Sequence, residues 1–460
     1  MVYTSATQVA AILPSTGTVN NLTVTYNGSV SSAAQIRVES SSFGSFAINQ
    51  AGNGPGVVQN FVSATDQPLN RLNASARPGQ TLILWGTGLG PVSGNEAAGP
   101  RPGNLTVPTE LYAGGQRAVL SYAGRSGCCA GIDQIAFVVP PGVEGCYVPV
   151  AVKAGNVVSN ITFISVAAQG ELCSDFAGLS SEELNRLISS GSARVGTVSL
   201  ARVTVKVASI VVTQDIGGAS FGRYTAERLL ASQGPYGSPS PGACLFAAVK
   251  GTDNLVVTDP VRPDPLDAGA VLTVTGPKGT KQLVRDQPGN YSGQLGGGVP
   301  LAAPEPLFLD PGTYTVDGSG GADIGAFRAT INIRSGFDWT NEAQVNTIPV
   351  NQDLTVTWTG GEPGGQALIF GISASEPLQI GTIFLCIERA DVGRFTVSSL
   401  ILANMLTGAP PNTIGLLTVG TLSPPVPFTA SGLDAGGVVW SPLVSKAVVF
   451  QGAAPPNVRK

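Results

Sequence analysis

A pattern that occurs twice in one chain has to fold to the same shape twice, and this chain repeats itself. Residues 7–14 read TQVAAILP and residues 133–140 read DQIAFVVP; Gln8, Ala10 and Pro14 recur as Gln134, Ala136 and Pro140, with apolar residues between. Further on, VSSAAQIRV (30–38) has the pattern of VSNITFISV (158–166). Short apolar runs bounded by turn residues are strands, and self-similarity along a chain marks a repeated structural unit. Residues 5–38 therefore correspond to 131–166, the second half of a unit whose first half, about 44–130, has no counterpart before residue 5. The expectation is a chain that opens part-way through a domain.

Three strands, at about 6–13, 21–27 and 33–39, cannot bury an apolar face by themselves, because a stable sandwich needs a facing sheet. Two sources for that sheet are open. Either the sequence is the C-terminal piece of a longer secreted protein, or another chain supplies strands by complementation. In the second case the contact falls on Val9, Ile12, Leu22, Val24, Ile36 and Val38.

The second unit, 44–168, is complete. Thr81–Trp85 is a strand closed by the glycine turn GTGLGP, and further strands fall at about 109–113, 117–122, 134–139, 147–153 and 161–167. Turn signals every 8–12 residues are the mark of an antiparallel sandwich. Residues 169–335 form a β-rich domain with short helices. One helix starts at Ser180, with Glu183 completing a capping box and Leu184, Leu187 and Ile188 on one face; a second is expected near 224–232. In the strand at 198–207, Arg202, Thr204 and Lys206 alternate with Val203, Val205 and Val207, one face wet and one dry. The last unit, 336–452, holds Trp339, Trp358 and Trp440, and a tail, 453–460, follows.

Composition removes whole classes of chemistry. The 460 residues include no histidine, which excludes Ser-His-Asp and Cys-His nucleophilic systems and every His-ligated metal site. Only 12% of residues are charged and the net charge is −4, with no basic stripe; nucleic acid and anionic membranes are not expected partners. No run of 18 apolar residues offers a membrane-spanning helix. The opening MVYTSATQV has neither the charged nor the apolar region of a signal peptide.

Six cysteines stand at 128, 129, 146, 173, 244 and 386, none in a C-x-x-C pair. The expected pairings are Cys173 with Cys244, and Cys146 with Cys128 or Cys129, the other two unassigned. Disulfides need an oxidising compartment, so the expected location is extracellular or at the cell surface. Gly86-Thr-Gly88-Leu-Gly90 is read as a β-turn, since a phosphate loop needs a following helix and Pro91 stands there instead. Asp317, Asp323 and the group Asp259, Asp264 and Asp267 offer oxygens that calcium accepts, but in no EF-hand spacing. The three tryptophans are read as core residues of the sandwich; the competing reading is a sugar-stacking platform.

At the second unit the residues become familiar. RPGQTLILWGTGLGPVSG, YAGRSGCCAGIDQIAFVVPPGVEGCYVPVAV and GNVVSNITFISVA resemble the Solibacter-type C-terminal domain of secreted acidobacterial proteins, which is similar to the immunoglobulin-like TIG sandwiches. The resemblance covers 44–168 closely and 1–43 as a half-domain. GTYTVDGSGGADIGAF and TVTWTGGEP resemble the region that follows in long members. It implies an all-β fold of tandem immunoglobulin-like antiparallel sandwiches, with one or two short helices in the middle domain, and a secreted protein; the family carries no assigned activity. The reading of the whole sequence is a non-catalytic structural or surface protein without cofactor, self-assembling into a filament or layer, or joined to other extracellular proteins. The alternative is a glycan- or protein-binding adhesion module, or a fragment of a longer secreted protein.

Overall fold

The computed structural model describes residues 3–452 apart from 6–8, 13–20, 37, 51, 53, 95, 97–98, 170, 175–180, 227, 229–238, 251–262, 299–304, 335 and 377–378. The molecule is all-β.

Short ladders come first: Tyr3–Thr4 (β1) with Val9–Ala10 (β2), Asn21–Leu22 (β3) with Ala34–Gln35 (β6), and Thr25–Tyr26 (β4) with Ser29–Val30 (β5). The next strands are Gly44–Ser45 (β7), Val58–Asn60 (β8), Thr81–Thr87 (β9), Gly103–Asn104 (β10), Thr109–Ala113 (β11), Gln116–Arg117 (β12), Val119–Arg125 (β13), Asp133–Val138 (β14), Gly145–Ala154 (β15), Val157–Val158 (β16) and Thr162–Val166 (β17). One sheet runs β13-β14-β9-β8 and the facing sheet β11-β15-β17. Four strands in that order against three is the constant-type immunoglobulin topology. Alternation builds it: Ile135 and Phe137 of β14 point inward to meet Leu111, Val150 and Val152 from across the sandwich, all fully buried. The glycine turn after β9 closes against the preceding strand. Gly88 has φ +87°, and a side chain there would collide with the Ser42 carbonyl.

The helix expected from Ser180 forms as α1, Ser181–Ser190, although Ser180 itself lies outside the described residues. Leu184 and Leu187 bury their stripe against Tyr147 and Phe163 on the outer face of the sandwich. Most of the second expected helix, 224–232, and all of the tail lie outside the described residues.

Beyond α1 the chain makes two long strands, Ser192–Val207 (β18) and Ile210–Thr225 (β19), then Ala243–Lys250 (β20), Asp264–Pro265 (β21), Val271–Gly276 (β22), Gly279–Gln287 (β23), Asn290–Gly297 (β24), Gly312–Gly318 (β25) and Phe327–Ile333 (β26). The remainder is Phe337–Trp339 (β27), Thr347–Pro349 (β28), Leu354–Gly360 (β29), Gln366–Ser375 (β30), Ile380–Arg389 (β31), Arg394–Val397 (β32), a turn of helix Ser399–Leu402 (α2), Thr413–Leu422 (β33), Val426–Pro427 (β34) and Ala435–Gln451 (β35). The order β35-β18-β19-β24-β23-β22-β25-β26 is a curled sheet around one core of Leu200, Phe221, Leu283, Tyr314, Phe327 and Trp440. A second sandwich packs β27-β29-β32 against β31-β30-β33-β35. This is again an immunoglobulin-like pairing, with β31 added beyond β30 as in variable-type domains.

The unit expected over 336–452 is not self-contained. Its last strand, β35, gives Val438 and Trp440 to the curled-sheet core and Val448 and Phe450 to the sandwich core. β20, from the stretch before it, pairs antiparallel with β31 and extends the same sheet. Nor is β18 wet on one face and dry on the other throughout. Val198 and Leu200 are buried, Arg202 follows them on the same side, and Val207 is exposed. The buried side changes near Gly196: Ala193 and Val195 join the core under α1, Val198 and Leu200 join the curled-sheet core, and residues 201–206 are half-buried on both faces.

Candidate functional site

Of the residues expected to make contacts, Val9 and Leu22 lie on the first ladders and Ile12, Val24, Ile36 and Val38 lie beside them. Val9, Leu22, Val24 and Val38 are 44–48% exposed, Ile12 is 40% exposed, and Tyr26 and Val30 are more exposed still, at 76% and 63%. Ile36 is half-buried. Ile12 lies against Gly131 of the complete sandwich. Isolated exposed apolar residues are ordinary, whereas a contiguous set on paired strands marks a surface meant to be covered.

The disulfides differ from the expected pairing. Cys146 bonds to Cys173, Cys244 to Cys386, and Cys128 to its neighbour Cys129. Cys128 and Cys129 sit in the turn between β13 and β14, while Cys146 opens β15 at the other end of the sandwich. The six residues of β14 separate them by about 20 Å, at roughly 3.3 Å per residue. Cys146 instead meets Cys173, buried beside it under α1. Cys244 cannot reach Cys173 because the β20–β31 register sets it directly opposite Cys386. No local pattern announces that pairing, since it depends on strands far apart in the chain.

Two charge networks went unseen in the sequence. Arg125, 5% exposed, donates from Nε to Glu96 Oε1 at 2.7 Å and from Nη1 to Asp133, which is fully buried. Asp133 Oδ2 also accepts from the Leu89 N–H at 2.8 Å, so the network pins the glycine turn to β14. Burial pushes the Asp133 carboxyl up, opposed by the Leu89 N–H and Arg125; burial also works against the Arg125 charge, but the two carboxylates outweigh it and hold that guanidinium above its ordinary value. In the curled sheet, Arg202 grips buried Asp215 through Nε and Nη2 at 2.7 and 2.9 Å, and Asp215 Oδ2 accepts from the N–H groups of Phe308 and Leu309 at 2.7 Å each. Arg and Asp face each other across β18–β19, a register that sequence spacing does not reveal.

The calcium candidates are otherwise engaged. Asp317 pairs with Arg328 at 2.6 Å, Asp323 accepts from the Asp267 N–H at 2.8 Å, Asp264 pairs with Arg228 at 2.8 Å, and Asp267 pairs with Arg285 at 3.2 Å. Asp259 lies outside the described residues. Among the described residues no three acid or thiol groups converge on a point, and no helix is long and apolar enough to cross a membrane. Trp339, Trp358 and Trp440 are all buried, Trp339 facing Trp358 across β27–β29, so they form no exposed platform.

Two clefts lie at the junctions between units. One of about 390 Å³ separates the curled sheet from the last sandwich and is lined by Arg202, Arg334, Phe337, Glu362, Thr421 and Trp440. The other, about 260 Å³, is lined by Tyr112, Gln116, Ile161, Cys244, Phe395 and Leu400. In the larger one Arg334 faces Glu362 at 3.7 Å and Arg202 is held by Asp215. It offers aromatic surface and paired charge.

No protein-family model matches this chain, and no curated protein matches it significantly. Among solved structures, a three-domain I-band fragment of titin aligns at 8% identity over 83% of this chain and 97% of that chain, with a TM-score of 0.12. The FN1–FN3 domains of chicken CNTN1 align at 7% identity over 82% and 96%, with a TM-score of 0.13. At those scores the immunoglobulin-like assignment rests on the strand order of the molecule itself.

Proposed function

We propose that the chain is a non-catalytic, extracellular structural module of a bacterial surface, joined to neighbouring polypeptide by strand complementation through residues 9–38. The observation that carries this reading is the exposed apolar set Val9, Leu22, Tyr26 and Val30 on short paired strands, with Ile12, Val24 and Val38 beside them. A filament or surface layer is the form this takes where the neighbour is another copy. Three disulfides support an oxidising location. A non-catalytic role is supported by the absence of histidine and by the buried carboxylates. Glu96, Asp133 and Asp215 are each bound to a guanidinium rather than poised for proton transfer. Membership of the Solibacter-type family belongs to the same proposal and is supported by the motifs of 44–168.

The test is light scattering with negative-stain imaging of the native protein beside Val24→Asp/Val38→Asp. The wild type is expected to associate with rising concentration or with extracellular proteins of its source, and the variant to stay monomeric with its 44–452 fold intact. Equal behaviour of the two proteins sinks the reading. A second reading, an adhesion module, is favoured by the 390 Å³ cleft between units with its aromatic and paired-charge lining.

A further inference from the structure

The ladders β3–β6 and β4–β5 reproduce pairings of the last strands of the complete sandwich. β3 and β6 pair Asn21 with Gln35 and Leu22 with Ala34; β15 and β17 pair Pro149 with Phe163 and Val150 with Thr162. β4 and β5 pair Thr25 with Val30 and Tyr26 with Ser29; β15 and β16 pair Lys153 with Val158 and Ala154 with Val157. One constant shift along the chain converts every first pair into its second. The same shift carries a serine clamp. Ser31 donates its N–H to the Val24 carbonyl at 2.9 Å and accepts the Val24 N–H on Oγ at 3.0 Å, and Ser159 does both to Val152 at 2.8 and 3.0 Å. A slip of one residue would turn every side chain to the other face, so coincidence at all these contacts identifies residues 21–38 as the last two strands of a second domain of the same type. Val9–Ala10 (β2), in the stretch that repeats 133–140 in sequence, is the strand before them.

Equivalent positions differ in one respect. Val150, Val152 and Ala154 are fully buried, while Leu22, Val24 and Tyr26 are 45%, 44% and 76% exposed. Val166 is 1% exposed against 48% for Val38, and Ile135 is fully buried against 44% for Val9. These are core side chains without the sheet that makes a core.

The complete domain also shows what that sheet is. The free edge of β15 takes β11, with Leu111 opposite Val152 and Ala113 opposite Val150, and β14 lies between β9 and β13. Residues 22–26 therefore require an antiparallel strand of β11 type; residues 9–12, of which Val9 and Ala10 pair with the two residues of β1, require strands of β9 and β13 type in its place and on the other edge. Among the described residues one such set exists, β8 to β13, and it is already engaged by β14, β15 and β17. A second copy of this chain has the same inventory for this repeated domain type, one first half and two second halves, the last sandwich being complete in its own strands. Exchange between copies frees as many strands as it covers.

We propose that the occupant of residues 9–38 is the first half of an immunoglobulin-like domain, four strands in the order of β8, β9, β11 and β13, contributed from outside residues 1–460. This rests on the reading that these strands join neighbouring polypeptide, and it names the neighbour by its fold. The probe is a duplicate of residues 44–125 joined by a flexible linker ahead of the full chain, followed by hydrogen exchange of the amides at 21–38 and by apolar dye binding. Those amides are expected to slow by about 100-fold or more as local opening becomes costly, with dye binding lost and the fusion monomeric. Leu111→Asp in the duplicate alone should restore fast exchange while 44–168 keeps its protection. Unchanged exchange at 21–38 in the fusion overturns the proposal. Protection of the same amides in the unfused chain at high concentration also overturns it, because the occupant is then a second copy, yet leaves the docking reading standing. A fused chain that is protected beside an unfused chain that binds nothing supports the partner and sinks self-association.

Discussion

At the scale of single residues, the most demanding environments belong to groups that bind the fold together rather than to a ligand. Tyr314 is fully buried and donates its hydroxyl proton to the carbonyls of Phe308 and Asp310 at 2.7 and 2.9 Å, tying their loop to the curled sheet. Burial pushes its phenol up to about 12. In the unfolded chain a tyrosine ionises near pH 10, so above that value the unfolded state sheds a proton that the folded state retains. Stability is therefore unaffected by this group below about pH 10 and falls as pH rises from there to about 12. Ultraviolet titration should find the phenol that ionises near pH 12 in the wild type missing from Tyr314→Phe, and the variant should lose about 1–3 kcal/mol at neutral pH through its unpaired carbonyl partners. A wild type and variant with identical alkaline titration curves would contradict this.

At the scale of elements, the two kinds of disulfide separate cleanly. Cys244–Cys386 closes a loop with a sequence separation of 142, whereas Cys128–Cys129 joins neighbours and closes none. If loop closure in the unfolded chain sets the effect, Cys244→Ala/Cys386→Ala loses about 3–5 kcal/mol, and Cys128→Ala/Cys129→Ala changes stability by about 0.5 kcal/mol or less. Denaturant melts of both variants decide it; equal losses would mean that packing around the sulfurs dominates. The same elements explain what could be read in advance. β14 was legible because its apolar alternation is local, and α1 because a stripe of leucines is. The expectation that residues 5–38 are a second half rests on a pattern that the chain spells twice. The cysteine partners were not legible, since they follow from a register between β20 and β31. Nor were Arg202 and Asp215, whose spacing in the chain gives no hint that β18 and β19 place them face to face. Arg202 was read as one of a wet row for a related reason: alternation tells which residues share a side, not which core that side meets.

At the scale of the whole molecule, the curled sheet and the last sandwich share β35, and with it a continuous sheet from β20 to β26. That sharing has a mechanical consequence. β18 and β35 lie parallel in register from Val195 opposite Ala435 to Lys206 opposite Lys446. A load drawn between the segment entering β18 and the segment leaving β35 pulls the two strands past each other lengthwise. Their interstrand bonds then resist together instead of parting one at a time from an end. Residues 208–434, which hold most of both cores, hang as a loop off this joint and carry none of the tension until it yields. Single-molecule stretching across residues 190–452 should accordingly give one high-force rupture followed by release of that whole loop up to its Cys244–Cys386 tie, rather than a staircase of separate domain openings. Between β18 and β35 the folded mass is thus kept out of the line of pull.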